Sequence, residues 1–79
     1  MKKSVGGSII EMISINSNTL GAVGYNEATQ ELATEFRRGG AYMYSGVPKS
    51  VYDGLISAAS PDEYFSDNIK NSFSYRRVG

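Results

Sequence analysis

The stretch ELATEFRRGGAYMYSGV, residues 31–47, decides the fold of this 79-residue chain. Apolar and polar side chains alternate from Leu32 to Arg37, which is typical of a β-strand with one buried face. Gly39 and Gly40 suit a tight hairpin, because glycine takes positive φ without steric cost. The segment AYMYSGV then predicts a returning strand, so the middle of the chain is predicted to be an antiparallel meander.

Strand signals continue on both sides of this hairpin. Upstream, Ile9, Ile13 and Ile15 are β-branched residues of the kind that strands favour. Residues 20–25 resume an extended pattern after a polar turn. Downstream, the closing segment SFSYRRV alternates again and predicts a short final strand.

Two helices are predicted between the hairpin and that final strand. Pro48 suits the first turn of a helix, and apolar residues follow it at helical spacing as far as Ala59. Ser60 is a favourable N-cap for a second helix, Pro61 fits its first position, and Glu63 completes a capping box. The predicted fold class is therefore α+β: a small antiparallel three- to four-stranded meander sheet packed against two C-terminal helices.

The composition indicates one small domain that lacks the side chains most enzymes use in catalysis. Eight Lys and Arg balance eight Asp and Glu, and the chain has neither cysteine nor histidine. The common general base, thiol nucleophile and imidazole metal ligand are therefore missing, and we predict no enzyme activity, no metal site and no cofactor. Residues 1–8 are predicted to be a flexible basic arm and residues 9–79 a single domain. No apolar run approaches the roughly 20 residues of a membrane span, so a cytoplasmic protein without a membrane partner is expected.

Tyr42 and Tyr44 are candidate binding side chains, and the face on which they lie depends on the hairpin register. In a two-residue turn Arg37 pairs with Tyr42, and both tyrosines share an open face with this cation. In a three-residue turn Phe36 pairs with Tyr42, and both tyrosines join the core. On the open face they would form a platform on which nucleobases stack. In the core they would pack their rings and leave the hydroxyl groups at the edge.

An ordered set of glycine, aromatic and aliphatic positions runs through most of the chain. Around the central Tyr42-Met43-Tyr44 motif, its members are Gly24-Tyr25, Leu32, Phe36, Gly39, Val47-Pro48, Tyr52, Leu55, Ala58 or Ala59 with Ser60, Tyr64-Phe65 and Ile69. This set, over about residues 13–78, resembles the KTSC domain, a family named for the C-terminal segment of some lysyl-tRNA synthetases. The family also occurs as free-standing small bacterial and bacteriophage proteins. The resemblance implies a compact α+β domain and, through the attachment to a tRNA synthetase, suggests RNA binding.

The leading functional prediction is a small non-catalytic domain that binds RNA or another single-stranded nucleic acid through an aromatic-arginine surface. Arginine forks suit phosphate groups, and tyrosine faces suit unstacked bases. The alternative is a phage or prophage interaction protein that inhibits a host assembly, such as RNA polymerase or a defence complex, or that sequesters a nucleotide signal as a homo-oligomer. The predicted ligand-binding residues are Tyr25, Arg37, Arg38, Tyr42, Tyr44, Lys49, Arg76 and Arg77.

Overall fold

Six strands and two helices follow one another in the computed structural model, which describes residues 2–5 and 8–79. The first five strands pair with one another in chain order. The two helices lie between the fifth and the sixth strand. The elements are β1 (Lys2–Val5), β2 (Ser8–Ser14), β3 (Leu20–Asn26), β4 (Glu31–Phe36), β5 (Ala41–Tyr44), α1 (Lys49–Ser57), α2 (Pro61–Asn68) and β6 (Tyr75–Arg77).

The sheet is antiparallel throughout, and its strand order follows the chain order. Strands β2 to β6 form a continuous five-stranded sheet, and β1 pairs with the first part of β2. The α+β class is confirmed, but the predicted count of three to four strands was too low. Residues 2–5 carry no apolar alternation that would mark a strand, and the sequence placed them in a flexible arm. Their backbone is nevertheless paired, with Lys2 opposite Glu11.

The main hydrophobic core lies between one face of the sheet and the two helices. Leu32 in the sheet, Leu55 in α1 and Ile69 after α2 are all fully buried, so the periodic apolar positions of each element meet at one interface. The buried members of this core are Leu20, Val23, Leu32, Tyr44, Val47, Leu55, Phe65 and Ile69.

A second, smaller core covers the opposite face of the sheet. Ile10 and Met12 from β2 pack there against Ala33 and Met43. The first part of β2 crosses close over β3, since a Cβ at Gly24 would lie 2.6 Å from both the Glu11 carbonyl oxygen and the Ile10 side chain. Gly24 therefore permits this close approach of the two backbones.

Both helices begin within one residue of their predicted starts. Pro48 precedes α1, and Ser60 caps α2 by accepting a hydrogen bond from the Glu63 N–H at 3.5 Å. Gly54, in the middle of α1, leaves room for the hydroxyl end of Tyr64, which a Cβ there would meet. In the described part of the chain, neither helix has the length and apolar character that crossing a bilayer requires.

Candidate functional site

The register of the β4–β5 hairpin places both tyrosines of the Tyr-x-Tyr motif on the helix-covered face. Residues 37–39 form a three-residue loop, and Thr34 pairs with Tyr42. The three-residue turn considered above predicted Phe36 as the partner of Tyr42, two residues from the observed partner. A shift of two residues leaves the Tyr42 side chain on the same face of the sheet. The alternative that placed Tyr42 and Tyr44 beside a cation on an open face is wrong.

The two tyrosines differ in depth. Tyr44 is buried, with 4% of its surface exposed, and its ring meets that of Phe65 edge-on with centroids 5.6 Å apart. Tyr42 is half-buried, and it lies edge-on to Phe36 at 5.3 Å and to Tyr75 at 5.7 Å. Tyr44 is therefore a core residue, whereas Tyr42 stands at the border between core and solvent.

A cleft of about 720 Å³ opens beside these rings. Its aromatic lining comes from Phe36, Tyr42, Tyr44 and Tyr75, so β4, β5 and β6 all contribute to it. Of these residues Tyr44 is buried, and Tyr75 is 59% exposed. We call this feature the aromatic cleft; its volume lies within the range of small-molecule sites, about 300–1,000 Å³.

Two cations line the aromatic cleft as well. Arg38 comes from the β4–β5 loop, and Lys70 follows α2. Both residues are exposed, and neither side chain makes an ion pair or hydrogen bond with any residue that the structure describes. The amides of Asn18 and Asn71 add neutral donors and acceptors. The cleft thus combines aromatic side chains with two exposed cations that have no acidic partner among the described residues.

The Tyr44 hydroxyl is held in its protonated form. Burial raises the pKa of Tyr44 to about 12, and the neighbouring Tyr75 and Tyr42 add to this rise. A phenol with such a pKa remains neutral over the physiological range, so it can donate a hydrogen bond.

The loop that brings Asn18 to the cleft is fastened from two sides. Asp62, in the first turn of α2, accepts hydrogen bonds from the Ser17 hydroxyl and from the Asn18 and Thr19 N–H groups. These hydrogen bonds lower the pKa of the Asp62 carboxyl, and the bond from Ser17 has the largest effect. On the other side, Arg37 Nε donates to the Ser17 carbonyl at 2.6 Å. Asp62 and Arg37 thereby fix one wall of the aromatic cleft.

Comparison with known proteins identifies the family to which the chain belongs. The family model described as the KTSC domain matches residues 16–73. The chain belongs to the KTSC domain family. The resemblance seen in the sequence is thus confirmed.

Relatives of this KTSC domain are also small proteins matched over nearly their whole length. A protein from Tsukamurella paurometabola is 36% identical over 62 residues, which are 78% of this chain and 92% of the relative. An uncharacterized protein from Stutzerimonas stutzeri is 30% identical over 70 residues, 87% of this chain and 99% of the relative. The crystal structure of a KTSC domain protein from Yersinia pestis superposes with a TM-score of 0.85 at 30% identity, covering 89% of this chain and 99% of that one.

Three of the predicted ligand-binding residues line the aromatic cleft of this KTSC domain: Arg38, Tyr42 and Tyr44. The other arginines have different partners. Arg37 is bonded to the loop described above, and Arg76 forms an ion pair with Glu31 at 3.2 Å.

The third of these arginines, Arg77, lies directly opposite Tyr42 in the sheet and donates from Nε to the Gly79 carbonyl at 3.0 Å. A single aromatic-arginine surface that contains every predicted cation is therefore not formed.

Tyr25 and Lys49 lie away from the cleft, around the start of α1. The Tyr25 hydroxyl donates to the Val47 carbonyl, and its ring stacks on Tyr52 with centroids 5.2 Å apart. Lys49 pairs with Asp53 at 3.4 Å, one helical turn further on. The Tyr25 bond thus stabilises the link between β5 and α1, whereas the Lys49 ion pair lies within α1. In the described part of the chain, no group of three or more acidic side chains is placed to hold a metal ion.

Sequence reasoning missed Tyr75, Lys70 and Asn71 as neighbours of the Tyr-x-Tyr motif. Each lies more than 25 residues after Tyr44 in the chain, and α1 and α2 intervene. Tyr75 could have been found, because the alternation of SFSYRRV predicts a strand that can pair with β5. Lys70 and Asn71 lie in a turn without a motif, and only the path of the chain after α2 brings them to the cleft.

Proposed function

We propose that this KTSC domain is a non-catalytic binding domain for RNA or another single-stranded nucleic acid, and that the aromatic cleft is its binding site. An unstacked base would enter among the rings of Tyr42, Tyr44 and Tyr75, and phosphate groups would contact Arg38 and Lys70. The site of action would be the cytoplasm, where such ligands are found.

The observation that carries this proposal is a cleft that combines aromatic rings with two cations lacking an acidic partner in the described part of the chain. Stacking of a base on an aromatic side chain is worth about 1–3 kcal/mol and tolerates any base. Arg38 and Lys70 are not neutralised by carboxylates of the described residues, so their charge is available to phosphate. Other cations, such as Arg76 and Lys49, already have acidic partners.

Fluorescence anisotropy with a labelled single-stranded RNA tests the proposal at low salt. We expect Arg38→Gln and Lys70→Gln each to weaken binding several-fold, because each removes one phosphate contact. Lys49→Gln is the matched control, since it removes the same charge away from the cleft and should leave affinity unchanged. Two phosphate contacts predict a slope of log K against log salt of roughly −1.4, from about −0.7 per contact on single strands. No binding at low salt, or equal losses in all three variants, would contradict the proposal.

A second candidate function is binding to a protein partner, including a second copy of the chain. It is favoured by exposed isoleucines on one side of the fold: Ile9 and Ile13 lie on one face of β2 and are 76% and 38% exposed, and Ile56 in α1 is 41% exposed. Ile13 and Ile56 line the same shallow depression. Size-exclusion chromatography with light scattering tests self-association. A dimer that Ile56→Ser dissociates would support this function, and a monomer at all concentrations would exclude self-association.

A further inference from the structure

The hydroxyl group of Tyr44 has a position that packing alone does not explain. The side chain is 4% exposed, and its ring lies 5.6 Å from that of Phe65 and 5.4 Å from that of Tyr75. The hydroxyl has no hydrogen-bond partner among the described residues. Since none of the fully buried polar side-chain atoms described lacks a partner, the hydroxyl must reach open space. Tyr44 lines the aromatic cleft, which is the open space beside this side chain.

The groups of the cleft are arranged by depth. The side chain of Tyr44 is the most buried, that of Tyr42 is half-buried, and those of Tyr75, Arg38 and Lys70 are exposed. A nucleotide has the same order of parts: a base edge with hydrogen-bond acceptors, two aromatic faces, and a phosphate. A polar group in an apolar pocket fixes orientation and supplies specificity.

We propose that the aromatic cleft accepts one nucleotide unit, with the Tyr44 hydroxyl donating a hydrogen bond to an acceptor on the edge of the base and the phosphate lying between Arg38 and Lys70. This inference rests on the proposed function and makes Tyr44 the residue that distinguishes a base from a phosphate group alone. The unit is either a free nucleotide or one unstacked nucleotide of a strand.

The role of the hydroxyl can be separated from that of the ring. Tyr44→Phe keeps the contacts with Phe65 and Tyr75 and removes only the oxygen. A net hydrogen bond is worth about three- to tenfold in affinity. Tyr64→Phe is the matched control, because its hydroxyl lies against Gly54, outside the cleft.

Isothermal titration of the full chain with the four nucleoside monophosphates, and with ribose 5-phosphate as the ligand without a base, tests the inference. We expect the tightest monophosphate to bind at least tenfold more tightly than ribose 5-phosphate. Tyr44→Phe should weaken that monophosphate about three- to tenfold and leave ribose 5-phosphate unchanged, while Tyr64→Phe changes neither. Equal binding of the tightest monophosphate by Tyr44→Phe and the wild type would overturn the inference.

An eight-residue single-stranded RNA separates the inference from the proposed function. If the RNA binds and no monophosphate does, the single-nucleotide site is excluded and the nucleic-acid proposal stands. If neither binds, both fall. If the monophosphate binds as tightly as the RNA, the source of the unit is a free nucleotide, whereas tighter binding of the RNA with the same loss in Tyr44→Phe assigns it to a strand.

Discussion

The side chain of Tyr44 is divided between two environments. Its ring belongs to the core, packed against Phe65 and facing Leu32 across the hairpin. Its side chain also lines the aromatic cleft, and its hydroxyl has no hydrogen-bond partner among the described residues. A tyrosine suits this position because it combines a large apolar ring with one polar end. Such a residue can therefore serve the core and a binding site at the same time.

The ionisation of Tyr44 provides a test at the residue scale. Its pKa in the folded protein is about 12, above the ordinary value of 10.0, so the folded state holds this proton more tightly than the unfolded state does. The stability that Tyr44 contributes through this difference is fully present below pH 10 and is lost as the pH rises from about 10 to about 12. Ultraviolet absorbance of tyrosinate should show a late-titrating tyrosine that is missing in Tyr44→Phe.

That comparison must be made as a difference between wild type and variant. Burial also raises the pKa of Tyr25 and Tyr52, so other tyrosines contribute to the late part of the curve. If the absorbance change near pH 12 has the same amplitude in Tyr44→Phe, the assignment of that step to Tyr44 is wrong.

Among the elements, β3 contains two glycines that differ in how much room the neighbouring strand leaves for a side chain. Both Gly21 and Gly24 lie in this strand, and their surroundings differ. A Cβ at Gly21 would have its nearest neighbour, the Glu35 carbonyl oxygen, at 3.6 Å, whereas one at Gly24 would meet the Glu11 carbonyl oxygen at 2.6 Å. The first distance is an ordinary contact, and the second is a clash with backbone that cannot rotate away.

Alanine substitutions in β3 test this difference. Gly24→Ala should lower the free energy of unfolding by about 1–3 kcal/mol, because the added methyl group forces β2 away from β3. Gly21→Ala should change it by about 0.5 kcal/mol or less. Chemical denaturation of both variants gives the two values. Similar values at both positions would show that the close approach of β2 does not decide the effect of a side chain at Gly24.

The elements also differ in how far they could be predicted. The start of α2 depends on contacts within four residues, and Ser60, Pro61 and Glu63 predicted it correctly. The face of Tyr42 depends on the length of the β4–β5 loop, and one residue more or less reverses it. The pairing of β1 could not be predicted because residues 2–5 have the polar composition of a flexible segment.

For the whole molecule, the distribution of charge matters more than its sum. The formal net charge is zero, which by itself argues against a strongly basic nucleic-acid surface. The fold nevertheless neutralises Arg76 with Glu31 and Lys49 with Asp53, and leaves Arg38 and Lys70 unpaired among the described residues beside the aromatic rings. A neutral chain can thus present a small cationic site, suited to one or two phosphate groups and not to a long duplex.

The sequence by itself determined the α+β class, the hairpin between residues 36 and 41, the two helices and the family, because these follow from local periodicity, capping and an ordered set of residues. Only the tertiary structure decided the cleft. Arg38 and Tyr42 come from one hairpin, but Lys70, Asn71 and Tyr75 reach them after two helices, and Asn18 arrives on a loop held by Asp62. Such contacts depend on how elements distant in the chain pack together, which no local pattern encodes.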